Sequence, residues 1–205
     1  MVGIITGDIV ASRRQKNPEL WLNPLKTLFE GIGPELECWE IFRGDSFQLE
    51  ISDTADVLWV AYKIKALLKS IGGLDVRMAI GLGDISYAAK RLSESNGTAF
   101  IHSGEKFETL KQDKIKLALK SNDADFDKTF NLLLKFASLS MDNWTVTSAH
   151  TVFTLLEFPD ATQTELGQQL QIKQHTVSER LQRSRIAELM ELNTLYREKV
   201  KSLSR

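Results

Sequence analysis

Cysteine is almost absent: the 205-residue chain has only Cys38, so no disulfide can form within it. That usage suits a reducing compartment, and a cytoplasmic location is expected. Cys38 lies in an apolar run with no evident activating base and reads as packing. Histidine is scarce too. His102, His150 and His175 have no second His or Cys at ligand spacing, which argues against zinc. No window reaches the ~18 unbroken apolar residues of a membrane-spanning helix. The apolar opening MVGIITGDIV is short, contains Asp8 and lacks a basic flank, so neither a signal peptide nor a membrane partner is expected. No charge of one sign dominates, since 26 Lys and Arg face 27 Asp and Glu, a net of −1. The distribution is uneven, however. Residues 161–205 hold eight basic and five acidic side chains, a net of +3, which leaves −4 for the rest. A mildly basic tail is weak support for a nucleic-acid module at that end. Repeats and low-complexity tracts are also missing.

What is present is ordinary for a globular protein: 42% hydrophobic and 26% charged residues. VGIITGDIV reads as a buried strand. Pro18 and Asn23-Pro24 are helix-start signals for the apolar set Leu25, Leu28 and Phe29. LECWEIF and SFQLEIS read as strands joined through Gly44-Asp45, a dipeptide suited to a two-residue hairpin turn, with Phe42 paired to Phe47. Asp53 caps a helix whose stripe is Val57, Val60, Ala61, Ile64, Leu67, Leu68 and Ile71. LDVRMAIGL alternates as a strand, TAFIHSGEKFETLK is helical, and KIKLALK alternates again. A long helix follows SNDADFDK, and everything after Asp142-Asn143 looks helical. Trp21, Trp39, Trp59 and Trp144 fall within apolar patterns and read as core.

The front half therefore runs β-α-β-β-α-β-α-β. Its first six elements give the split βαβ sheet of ferredoxin-like folds, an α+β arrangement with helices on one face. The expected organisation is a sheet domain over 1–122, a connecting helix over 123–142 and an all-α domain over 143–205.

The hairpin EIFRGDSFQLEI carries an Arg-Gly-Asp triplet. Compartment and turn chemistry argue against an adhesion role. A tight turn puts Asp45 at the tip of two central strands, and Asp8 ends the strand beside them, so two carboxylates far apart in sequence can converge. Carboxylates at ~4 Å repel unless a cation lies between them. Oxygen-only ligation suits Mg²⁺ or Mn²⁺, completed by water and phosphate oxygens. Gly7, Ile9 and Gly44 would offer backbone to a nucleotide, and Arg13, Arg14 and Arg43 would neutralise its phosphates. The plainer alternative is Asp8 capping its own loop.

These residues carry a resemblance. TGDIV, RGDSF, VRMAIGLGDI and SNGTAF look like the palm-type catalytic domain of class III nucleotide cyclases, over roughly residues 2 to 120. The resemblance implies that Asp8 and Asp45 hold metal ions on a nucleoside triphosphate. In that family a helix matching GTAFIHSGEKFE bears an Asn and an Arg that support the transition state. Aligned on Gly97, those positions are Ile101 and Glu105, which can do neither job, so the resemblance implies binding more than cyclisation. Over nearly its whole length the chain resembles the bacterial SatD family, which pairs such a front half with a helical tail.

TQTELGQQLQIKQHTVSERLQRSR, residues 162–185, is the most specific local pattern. Thr162 and Glu165 form a capping box, Leu166 and Leu170 make a buried face, and Gln171-Ile172-Lys173 is a turn. A second helix buries Val177 and Leu181. This spacing looks like a helix-turn-helix, and TVSERLQRSR is similar to the region 4 helices of sigma factors. The resemblance implies contacts to duplex DNA from Lys173, Gln174, His175, Thr176, Ser178, Glu179, Gln182, Arg183 and Arg185. Such turns usually have Gly where Gln171 stands, since that residue often has φ > 0. Gly167 replaces a usual Ala and still permits close packing. A modest +3 favours a homodimer presenting two such helices, with Leu189, Leu192, Leu195 and Tyr196 as one possible seam and core as the other reading. The expected function is thus a transcriptional regulator with a nucleotide- and metal-binding palm. The alternatives are a nucleoside-triphosphate enzyme using Asp8 and Asp45, a helical tail that binds protein partners, and an adaptor without chemistry.

Overall fold

The structure, a computed structural model, describes residues 1–203. Five strands form one sheet: β1 (Val2–Val10), β2 (Trp39–Phe42), β3 (Ser46–Ile51), β4 (Asp75–Gly83) and β5 (Leu117–Lys120), ordered β2-β3-β1-β4-β5. Only β5 runs parallel to its neighbour, β4. Helices α1 (Glu19–Glu30) and α2 (Val57–Ser70) complete the split βαβ unit. Strand alternation explains the layering. Ile5, Ile9, Phe47, Leu49, Val76, Met78 and Ile80 point to the side where Trp21, Leu25 and Phe29 of α1 and the buried face of α2 lie. The opposite side carries Ile4, Ala79 and Ala118. There α3 (Thr98–Leu110) packs, with Ala99 and Phe100 on Ile4, and Leu110 on Ala79 and Ala118. The six-element unit thus has its helices on one face, and α3 covers part of the other.

Two local details differ from the sequence reading. The hairpin loop has three residues, because Phe42 pairs with Ser46 and Ile41 with Phe47. Arg43 (φ 54°) and Gly44 (φ 88°) both take left-handed conformations, and this extra loop residue turns Phe42 away from the core on which Phe47 packs. Pro18 flanks α1, and the helix runs on through Pro24 rather than restarting there.

Five helices follow: α4 (Ala124–Met141), α5 (Val146–Glu157), α6 (Gln163–Leu170), α7 (Gln174–Ser184) and α8 (Ile186–Leu203). The apolar core is continuous across position 143. It joins α2 to Phe126 and Phe130 of α4, Ala149 and Val152 of α5, and Tyr196 and Val200 of α8. Polar contacts reinforce it. The Tyr196 hydroxyl donates to the Thr54 carbonyl at 3.0 Å, and Lys63 pairs with Glu157 at 2.7 Å. Leu189 and Tyr196 are therefore core residues, and of the suggested α8 seam only Leu195 is exposed. Trp21, Trp39 and Trp144 are buried as expected. Among the described residues no helix is long and apolar enough to cross a membrane.

Candidate functional site

Antiparallel pairing puts Asp8 of β1 between Ser46 of β3 and Arg77 of β4. All three lie on the sheet face away from α1 and α2. The Asp8 carboxylate accepts from Arg77 Nε at 2.8 Å and from Nη2 of the same guanidinium, a bidentate fork. Asp45 is the last residue of the hairpin loop. Its backbone carbonyl accepts from Ile9 N–H at 2.9 Å, and its carboxylate accepts from the Ser12 hydroxyl at 2.6 Å. The hydrogen bonds to Asp8, together with the charges of Asp8 and Asp45, hold Arg77 above its ordinary value against the effect of burial. Asp8 pairs directly with this guanidinium, while Asp45 bonds Ser12 and acts on Arg77 only through its charge at longer range.

The neighbouring positions divide by strand parity. Gly7 and Ile9 face the core, and the place of a Gly7 Cβ is filled by the Phe47 ring, 2.3 Å away, so the absent side chain there makes room for packing. Gly44 is open, with nothing within 4 Å of where a Cβ would stand. Arg13 and Arg14, in a short 3-10 turn, and Arg43 are exposed. Glu105 on α3 pairs with Lys120, and Ile101 is exposed. No cluster of three or more His, Cys, Asp or Glu that could hold a metal occurs among the described residues. A cation here would take two carboxylates and fill its shell with water or phosphate oxygens.

The second constellation is helical. Thr162 caps α6: its hydroxyl accepts from Glu165 N–H at 3.3 Å, and the Glu165 carboxylate accepts from Thr162 N–H at 2.7 Å. The Thr162 N–H and then the Thr162 hydroxyl, which donates to the same carboxylate at 2.8 Å, lower the Glu165 pKa. The helix ends at Gln171, which is left-handed at φ 54°, ψ 41°, and Ile172 N–H returns to the Gly167 carbonyl at 2.9 Å. A Cβ on Gly167 would lie 2.8 Å from the Ile172 carbonyl oxygen, so only glycine lets this turn close so tightly. Leu166 and Val177 are fully buried between α6, α7 and α5. Lys173, Gln174, His175, Glu179, Gln182, Arg183 and Arg185 are exposed, while Thr176 and Ser178 are half-buried. Gln174 donates to Gln163 at 2.7 Å, Arg183 pairs with Glu179 at 3.2 Å, and Arg185 pairs with Glu188 at 3.4 Å.

Residues 2–200 match the model of the SatD family. The chain belongs to the SatD family. Neither curated proteins nor solved structures gave a match.

In this SatD-family chain, Asp8 pairs with Arg77 and Asp45 with Ser12, two partners that the sequence does not single out. Arg77 was legible in principle as the basic side chain on the polar side of LDVRMAIGL. Its position opposite Asp8 needed the β1–β4 register. The nine tail residues all lie on α7 or at its two caps, Lys173 and Arg185, and seven of them are exposed.

Proposed function

We propose that this SatD-family protein is a DNA-binding transcriptional regulator in which α6 and α7 act as a helix-turn-helix. One observation carries the reading: the turn closed by Gly167 and Gln171 holds α7 with Gln174, His175, Gln182 and Arg183 in solvent. Exposed residues at the start of a second helix are those that meet base edges in the major groove. Gln pairs with adenine, and Arg with guanine or phosphate. The N-terminus of α7 has no side-chain cap, which leaves backbone N–H groups for a phosphate.

The test is fluorescence anisotropy of a random-sequence duplex, titrated with the full chain at several salt concentrations. Affinity should fall linearly on a log–log plot, and Arg183→Ala/Arg185→Ala should reduce that slope by about 2. An absence of binding at low salt, or a slope indifferent to both arginines, would refute the reading.

A second reading concerns the carboxylate pair. Asp8 pairs with Arg77, the Asp45 carbonyl bonds the next residue of β1, Ile9, and Arg13, Arg14 and Arg43 are exposed nearby in sequence. This arrangement suits a nucleotide carried with Mg²⁺ or Mn²⁺, whose cation would replace Arg77 at Asp8 and leave Arg77 for a phosphate oxygen. Binding of that kind supports a ligand-sensing role for the sheet. A nucleoside-triphosphate enzyme remains the alternative use of the same pair.

A further inference from the structure

Helix α4 has a second apolar face that nothing among the described residues covers. Its inner stripe, Phe126, Phe130, Leu134, Ala137 and Met141, is buried. On the opposite side Leu132, Phe136 and Leu139 follow at spacings of four and three residues and are 56%, 63% and 67% exposed. A helix with apolar residues on two opposite sides has two surfaces to bury. Beside this ridge, between α4 and α8, runs a groove of about 550 Å³ lined by Leu133, Ala137, Leu189, Leu192 and Leu195. Single exposed leucines are unremarkable on any surface, but a contiguous ridge and groove mark an interaction site.

We propose that this face is the seam of a symmetric homodimer, filled by a second copy of the chain. A ridge and a groove lying side by side are self-complementary under a twofold axis parallel to α4, because each ridge then falls into the other copy's groove. Charge follows the same operation. On the helical wheel Lys128 and Lys135, both exposed, flank the ridge on the side away from the groove. Glu188 and Glu191 line the groove together with Arg185, which pairs with Glu188 in its own copy, so Glu191 is the acid offered to the opposing lysines. The twofold sets each lysine flank against the opposing Glu191. A lipid surface would favour basic residues throughout the rim, and Glu188 and Glu191 on the α8 side oppose it. The seam rests on α4 and α8 and does not depend on DNA binding. If both hold, the dimer offers two α7 helices related by a twofold, the symmetry of a palindromic site.

Sedimentation velocity on the full chain without DNA, over a dilution series, tests this directly. The wild type should sediment as a dimer. Phe136→Glu, at an exposed position, should raise the dissociation constant about tenfold or more with an unchanged circular-dichroism spectrum. Lys135→Glu should weaken the dimer, and Lys135→Glu/Glu191→Lys should restore it. A wild-type monomer at every concentration, a dimer indifferent to Phe136→Glu, or a charge swap without recovery would each overturn the proposal. Because no DNA is present, loss of the DNA reading would leave these results untouched.

Discussion

Lys65 joins the sheet to the helical half, and its replacement by Met has a magnitude that follows from its surroundings. The side chain is 4% exposed and donates to Asp75 and Asp142 at 2.5 Å each. Lys116 reaches the same two carboxylates at 2.9 and 3.1 Å, and Lys69 donates to the Asp142 carbonyl at 2.8 Å. Lys65→Met keeps the length and removes the charge. Breaking a buried pair costs about 3–5 kcal/mol when the survivor is left alone. Here Lys116 still faces both carboxylates, so a loss of about 2–3 kcal/mol is expected. For a chain of this size that lowers Tm by roughly 4–12 °C. Urea unfolding followed by circular dichroism and by tryptophan fluorescence measures it, and coincident transitions establish that one cooperative unit melts. The acid side gives a second readout. Burial alone would raise the Asp75 carboxyl, but the charge of Lys65 and hydrogen bonds from Lys65, Lys116 and Val76 N–H outweigh it and hold it below the ordinary range. With the folded value below the unfolded value, the stabilisation is complete above about pH 4. It is lost as pH falls through the folded value. Asp75→Asn should flatten that acid-side decline while lowering stability at neutral pH. A Lys65→Met protein within about 0.5 kcal/mol of wild type would refute the reasoning, since that is the scatter of a neutral surface change.

Two further outcomes bear on the candidate sites. Gly167→Ala puts a Cβ 2.8 Å from the Ile172 carbonyl oxygen, so the turn must open. A cost of about 1–3 kcal/mol is expected, with α7 displaced and DNA affinity in the anisotropy assay reduced, and wild-type stability together with wild-type affinity would reject the tight turn as its scaffold. Saturating ATP or GTP with Mg²⁺ or Mn²⁺ should raise Tm, by the equivalent of about 2.7 kcal/mol at a hundredfold excess over Kd. Asp45→Asn should abolish that shift, and no shift in the wild type would remove the carboxylate pair as a nucleotide site.

The parts of the fold legible in the sequence are those with a local cause. The β-branched run VGIITGDIV and the alternation in LDVRMAIGL mark both as strands, and the Thr162–Glu165 box marks where α6 begins, although β4 proves buried on both faces because α3 covers the second. The hairpin register was not legible. Gly44-Asp45 suggests a two-residue turn, while the actual loop needs Arg43 at φ 54°, and an arginine gives no signal for a left-handed backbone. Leu189 and Tyr196 recur at helical spacing whether they face a core or a partner, so only the packing of α8 against the 3-10 turn at Thr54–Asp56 distinguishes the two. The tail residues of the candidate site lie within one local motif and could be read together. Arg77 meets Asp8 across 69 positions and could not be placed without the sheet.

The anchoring of α7 bears on the proposed function more than its composition does. At its C-terminal end the Ser184 carbonyl accepts from the Trp144 indole and the Ser140 hydroxyl, both at 2.8 Å, and Arg185 turns the chain at φ 57° into α8. These donors lie at the junction of α4 and α5, where Asp142 takes part in the Lys65 cluster. The C-terminal end of α7 is thus fixed to the core, while Gln174 and His175 at its N-terminal end lie in solvent. On the DNA reading this is the favourable polarity, since the N-terminal residues of such a helix enter the groove. The same cluster contains Asp75, two residues before Arg77 on β4. One strand therefore carries both the arginine that pairs with Asp8 and the aspartate whose partners Lys65 and Lys116 also bind Asp142 at α4's C-terminal end.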